Sequence, residues 1–222
     1  MEATRRPRLK VCCISSLEEA QLAVSLGAHA LGLVSEMPSG PGVIAEPELV
    51  RLAGWAPPGV ATFLLSSKRS VPALVAQARR VGAGVLQLVD SLEEGTHAEL
   101  AEALPGISVV QVIHVTGPES VDEALRVASL PGVRALLLDS GNPALAVKQL
   151  GGTGRVHDWR LSRQIREQSR LPVYLAGGLK PENVRSAIDE VGPFGLDLCS
   201  GVRTDGRLDA HKLEALVQAL AG

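Results

Sequence analysis

The chain is poor in aromatics, with two Phe, two Trp and one Tyr among 222 residues. Single-strand nucleic-acid binding by base stacking therefore has few platforms to use. An excess of positive charge is missing too. Lys and Arg total 22 against 24 Asp and Glu, a formal net charge of −2, so the basic footprint of a DNA or RNA binder is absent. No apolar run approaches the roughly eighteen residues that a membrane span needs. The stretch Met1 to Arg8 is polar, with Arg5, Arg6 and Arg8, and no apolar segment with a cleavage site follows it. No secretory signal is expected on that ground. Cysteine is scarce. Cys12, Cys13 and Cys199 are odd in number and lack metal-ligand spacing, which reads as reduced thiols in a cytoplasmic setting. The histidines His29, His97, His114, His157 and His211 are scattered, without an HExxH-type pair. Neither a metal nor a cofactor is expected, and neither a nucleic acid nor a membrane is an expected partner.

What the sequence does contain is a regular alternation. Short β-rich apolar runs fall at Leu9–Ile14, Ala30–Val34, Val60–Leu65, Val85–Leu88, Val109–Val115, Ala135–Asp139, Val173–Ala176 and Gly195–Leu198. Helix-like segments lie between them, at Ser16–Leu26, Glu46–Ala53, Val71–Val81, Gly95–Leu104, Ser120–Leu130, Trp159–Gln168, Pro181–Glu190 and Ala210–Leu220. Ser16 and Glu19 have capping-box spacing, Pro181 suits a first helical turn, and Gly27 suits a helix end. Strand–helix alternation of this kind builds a parallel sheet. Eight repeats in this length predict a single-domain (β/α)8 TIM barrel over residues 1–222, an α/β fold with a closed parallel eight-stranded sheet. An open doubly wound sheet is the structural competitor. The loop Ser140–Val156 is long and glycine-rich, a length that goes with function or mobility.

Barrel chemistry sits at the C-terminal ends of the strands. Three glycine-bearing segments fall there: Gly151-Gly152-Thr153-Gly154, Ala176-Gly177-Gly178-Leu179 and Ser200-Gly201-Val202. Glycines let backbone N–H groups close on an anion, and barrels often hold phosphate after strands seven and eight. The candidate phosphate ligands are Gly177, Gly178, Ser200 and Gly201. Simple turn chemistry is the alternative for each.

Two side chains at strand ends carry proton-transfer chemistry. Asp139 closes the run Ala135 to Leu138, and either caps the next segment or faces the pocket. Cys12 is either a small core hydrophobe or a general base. Strand periodicity puts Cys12 and Cys13 on opposite faces, so only one of them is expected to line the interior. A thiol acts as a base only when ionised, and Lys10, one pleat below on the same face, is a cation placed to help. A thiolate base opposite a carboxylic acid suits an isomerisation beside a carbonyl or imine.

These residues resemble a known family. Lys10-Val11-Cys12-Cys13-Ile14-Ser15 is similar to the opening Lys-Ile-Cys-Gly-Ile-Thr motif of phosphoribosylanthranilate isomerase. Gly27 to Val34, Leu137-Leu138-Asp139-Ser140, Gly151 to Trp159, Leu175 to Val184 and Asp197 to Val202 resemble its later motifs, in order along nearly the whole chain. The resemblance implies an Amadori rearrangement in tryptophan biosynthesis. N-(5-phosphoribosyl)anthranilate becomes 1-(2-carboxyphenylamino)-1-deoxyribulose 5-phosphate, with Asp139 as general acid and Cys12 as general base. It also implies a phosphorylated sugar as the partner, no cofactor, and a monomer or homodimer in the cytoplasm.

The departures cluster on the aryl side. The family usually has Ser-Pro-Arg after the second strand, whose Arg grips the anthranilate carboxylate. Here the stretch reads Ser35-Glu36-Met37-Pro38-Ser39-Gly40-Pro41-Gly42. Lys68, Arg69 and Arg155 are the candidate replacements for that charge-assisted contact. The usual Gln-Leu-His-Gly is Gln87-Leu88-Val89-Asp90, the Gly after the catalytic Cys is Cys13, and the Glu after Ser-Gly-Val is Arg203. Two alternatives stay open: an isomerase of another phosphorylated aminosugar, and a non-catalytic phosphosugar-binding barrel.

Overall fold

A computed structural model of the chain describes residues 6–141 and 156–221. The Gly151–Gly154 segment, Arg155 and most of the Ser140–Val156 loop lie outside the described residues.

The elements alternate as the apolar runs predict. The strands are β1 Arg8–Val11, β2 Ala30–Val34, β3 Ala61–Ser66, β4 Val85–Leu88, β5 Ser108–His114, β6 Val133–Asp139, β7 Val173–Leu175 and β8 Gly195–Leu198. The helices are α1 Leu17–Ser25, α2 Glu46–Trp55, α3 Val71–Val81, α4 His97–Ala103, α5 Glu119–Ala128, α6 Trp159–Gln168, α7 Val184–Val191 and α8 Ala210–Ala221. The strands close in the order β1 to β8, and β8 returns to β1 in parallel, pairing Lys10 with Asp197 and Val11 with Leu198. The open sheet is thereby excluded. After β8 the chain makes a 3₁₀ turn at Ser200–Val202 and a small antiparallel ribbon, β9 Arg203–Thr204 with β10 Arg207–Leu208.

Alternation along each strand sorts side chains into two layers. Leu31, Leu33, Leu64, Leu86, Leu136 and Leu138 face the helices in one apolar cluster. Ala30, Val34, Phe63, Leu65, Val110, Val112 and Leu137 fill the barrel. Three of the scarce aromatics stack below the cavity, Tyr174 lying edge-on to Phe63 at 5.8 Å and to Phe194 at 5.5 Å between ring centroids. Gly195 makes this possible, since a Cβ there would sit 2.4 Å from the Tyr174 ring.

Local signals explain most element ends. Ser16 caps α1 by accepting from the Glu19 N–H at 3.3 Å. Glu19 does not complete the capping box: its carboxylate takes the Ser15 N–H at 3.0 Å and turns to Arg203. Pro181 lies in a turn ahead of α7 rather than inside it, because Asn183 stops that turn by accepting from the Lys180 N–H at 2.9 Å. β1 ends at Val11, three residues short of the apolar run, since Cys13 adopts a left-handed φ of 63°. Among the described residues no helix is long and apolar enough to cross a membrane.

Candidate active site

A cavity opens at the C-terminal ends of the strands. Cys12, Asp139, Gly177, Gly178 and Ser200 all line it.

Cys12 follows β1 directly. Its N–H donates to the Leu198 carbonyl at 2.7 Å, continuing the β1–β8 ladder by one residue. The side chain turns inward over Gly32 of β2, where a Cβ would lie 2.7 Å from the Cys12 sulfur. Glycine at 32 is what leaves room for the thiol. Asp139 closes β6 and is 8% exposed. Its Oδ1 accepts the Ser140 N–H at 2.7 Å, and its own carbonyl accepts from Val115 at 2.8 Å. The two readings of Asp139 hold together, because the turn bond fixes a carboxyl that faces the cavity.

The glycine loops stand beside these groups. Gly177 and Gly178 both have left-handed backbones, φ 85° and 64°, which glycine adopts without strain. Asn183 Nδ2 donates to the Gly178 carbonyl at 2.9 Å and pins this loop to the start of α7. Gly201 is not among the lining residues. A Cβ there would lie 1.9 Å from the Leu179 carbonyl oxygen, so its smallness lets the 3₁₀ turn back against the β7 loop. Gly201 supports the loop wall from behind.

The expectation that only one of the paired cysteines faces inward fails. Both line the cavity, because strict alternation applies only within the strand and Cys13 lies past its end. The Cys13 sulfur sits 2.9 Å from that of Cys199 and donates to the Pro41 carbonyl at 3.5 Å. Hydrogen bonding from Cys12 and Cys199, with burial, pushes the Cys13 thiol up, while the Cys13 hydrogen bond pulls the Cys199 thiol down.

Lys10 is fully buried, bonded to Asp197 at 2.7 Å and 5.1 Å from the Phe63 ring centroid. Burial opposes its charge, yet the Asp197 carboxylate, with Cys12 behind it, outweighs burial and raises the Lys10 pKa. The ammonium so placed is a fixed positive charge under the cavity floor.

The replacements for the aryl-side arginine fare differently. Lys68 is exposed beyond β3 and outside the lining. Arg69 is outside it as well, drawn to the Ser91 carbonyl at 3.0 Å, to Asp90 at 3.5 Å and to Glu93. Asp90 thereby faces Arg69 rather than the cavity. Arg155 lies outside the described residues. The loop after β2 lines this side with Met37, Ser39, Gly40 and Pro41.

Sequence reasoning quoted Asp197 and Gln87 within motifs but gave them no role, and both line the cavity. Gln87 is 3% exposed and its Oε1 has no hydrogen-bond partner among the described residues. The available signal was a polar residue set between leucines on an inner face, Leu86-Gln87-Leu88 and Leu196-Asp197-Leu198. No cluster of three or more metal-ligating side chains occurs among the described residues.

Comparison with known proteins fits this geometry. The family model for N-(5'-phosphoribosyl)anthranilate (PRA) isomerase matches residues 9–219. The N-(5'-phosphoribosyl)anthranilate isomerase of Synechococcus sp. (strain JA-2-3B'a(2-13)) is 36% identical over 220 residues, covering 96% of this chain and 89% of that protein. That of Methanothrix thermoacetophila is 33% identical over 214 residues, covering 95% and 96%. Among solved structures, phosphoribosyl anthranilate isomerase from Thermotoga maritima superposes with a TM-score of 0.79 at 31% identity, covering 97% of this chain and 98% of that one. A crystal structure of the isomerase in complex with reduced 1-(o-carboxyphenylamino)-1-deoxyribulose 5-phosphate gives 0.77 at 28%, with coverage of 97% and 98%.

Proposed function

The chain belongs to the N-(5'-phosphoribosyl)anthranilate isomerase family, and from that premise we propose that Cys12 and Asp139 carry its proton transfers. The reaction is the Amadori rearrangement of N-(5-phosphoribosyl)anthranilate to 1-(2-carboxyphenylamino)-1-deoxyribulose 5-phosphate, a step of tryptophan biosynthesis.

Asp139 donates its proton to the furanose ring oxygen. The C1–O bond breaks and the anthranilate nitrogen lone pair forms the C1=N bond of a Schiff base. The Cys12 thiolate then takes the C2 proton, and the C2–H electrons move to neutralise the iminium as an enol amine. Ketonisation at C2 gives the product. Each positioned proton-transfer group supplies about a hundred- to ten-thousand-fold. Gly177, Gly178 and Ser200 hold the 5-phosphate by backbone N–H and hydroxyl groups, a contact that orients the sugar between acid and base.

The observation that carries this reading is that Cys12 and Asp139, from strands on different sides of the barrel, line one cavity with those glycine loops. Direct assay with N-(5-phosphoribosyl)anthranilate tests it: turnover supports the reading, and binding without turnover would leave only a phosphosugar-holding barrel.

A further inference from the structure

We propose that Cys13 and Cys199 are a redox-active dithiol, which a peroxide closes to a disulfide in the cavity wall. Their sulfurs already stand 2.9 Å apart. A disulfide bond is about 2.05 Å long, so closure needs a convergence of about 0.9 Å.

The backbone builds this approach. β1 and β8 are paired as far as Val11 and Leu198, and the Cys12 N–H to Leu198 bond of 2.7 Å extends the pairing. A straight continuation would carry the Cys13 side chain to the opposite face of the sheet from Cys12. The left-handed turn at Cys13, φ 63°, brings it to Cys199 instead. Both residues line the cavity, which is the route by which a small oxidant would reach them. The thiolate is the reacting form. Cys199 is the nucleophile of the pair, since the Cys13 hydrogen bond and the nearby Arg203 favour its ionised state.

The chemistry closes without residue. The Cys199 thiolate attacks the O–O bond of hydrogen peroxide and becomes a sulfenic acid, and the departing hydroxide leaves as water with one proton. Cys13 sulfur then displaces the sulfenic hydroxyl, which leaves as a second water with the Cys13 proton. Two thiols together lose two electrons and the peroxide gains two. A dithiol reductant reverses the change.

Closure acts on the site through Cys12, whose carbonyl shares the Arg203 guanidinium with that of Cys13. It also draws the Cys13 sulfur away from the Pro41 carbonyl, 3.5 Å from it in the loop after β2. The oxidised chain should therefore isomerise more slowly. That consequence rests on the Cys12–Asp139 reading, whereas the bond itself does not.

The test treats the reduced full chain with hydrogen peroxide and follows intact mass, free thiols and turnover before and after dithiothreitol. The expected result is a loss of two hydrogens and a fall from three free thiols to one, with turnover lowered and then restored by dithiothreitol. Cys12→Ala should still lose two thiols, which separates this bond from any bond to Cys12. Cys13→Gly, which suits the left-handed backbone, and Cys199→Ala should form no intramolecular bond and show no dithiothreitol-reversible change. Retention of three thiols would overturn the proposal, as would a cross-link that persists in Cys199→Ala. A Cys13–Cys199 bond with unchanged turnover would remove the effect on catalysis.

Discussion

Arg203 and Glu19, 184 positions apart, meet in a buried seam at 2.9 Å, and the same guanidinium donates to the carbonyls of Cys12 at 3.1 Å and Cys13 at 2.5 Å. Glu19 in turn accepts from the Leu208 N–H at 2.8 Å. The pair ties the end of β1 to the ribbon after β8 and fixes the backbone that aims the Cys12 thiol. Arg203→Leu leaves a buried carboxylate uncompensated, a loss of about 3–5 kcal/mol. Arg203→Lys keeps the charge without the planar fork. In that variant kcat should fall by more than KM rises if Cys12 is the base, because its thiol is misaimed while Gly177, Gly178 and Ser200 stay in place. Steady-state kinetics and urea unfolding of both variants check this. An unchanged kcat in Arg203→Lys would show that the clamp does not position Cys12.

The same carboxylate shapes the acid limb of stability. Burial alone would raise the Glu19 pKa, but Arg203 and the Leu208 and Ser15 N–H groups outweigh it, so the folded value lies below that of an ordinary glutamate. As pH falls, the unfolded chain takes up this proton first. The stabilisation is thus present above roughly pH 4.3 and is lost as pH drops through the folded value. The stability gap between the wild type and Glu19→Gln should therefore shrink across that range in urea titrations. A gap that stays constant with pH would contradict the assignment.

Lys10 and Asp197 form the second buried pair, with side chains 0% and 9% exposed. Lys10→Met removes the ammonium and strands the carboxylate, which should cost about 3–5 kcal/mol. Lys10→Met with Asp197→Leu should cost less than Lys10→Met alone, since no unpaired charge remains. Equilibrium unfolding of the two singles and the double gives the coupling directly. Additive costs would mean that the pair is not coupled.

Gly201 sets the spacing of the two glycine loops proposed to hold phosphate, its position admitting no Cβ against the Leu179 carbonyl. Gly201→Ala should push the 3₁₀ turn off the β7 loop and weaken competitive inhibition by inorganic phosphate by about tenfold, or about 1.4 kcal/mol. The kcat should change less than KM. Unaltered phosphate inhibition would place the anion elsewhere.

How much of this the sequence discloses depends on the range of the interactions. Asp139 closes an apolar run and Gly177-Gly178 follows one, so local pattern marked them as candidates, whereas Cys12 lies inside the run Leu9–Ile14 and only the family resemblance singled it out. Cys13 was misplaced because the period of two was carried past Val11, where the backbone turns left-handed. The Lys10–Asp197 and Glu19–Arg203 pairs were not legible, since their partners are 187 and 184 positions apart and meet only once β8 closes on β1. Arg69 was offered as an aryl-side cation because it follows β3, yet its competitors Asp90 and Glu93 come from the loop after the next strand. Spacing along one segment does not reveal such a competition.

One thiol and one carboxyl are proposed to move the protons. The most direct measurement is kcat for Cys12→Ala and for Asp139→Asn with N-(5-phosphoribosyl)anthranilate, alongside phosphate inhibition and circular dichroism. Each variant should stay folded, bind phosphate as the wild type does, and turn over about a hundred- to ten-thousand-fold more slowly. Wild-type turnover in either variant would contradict it.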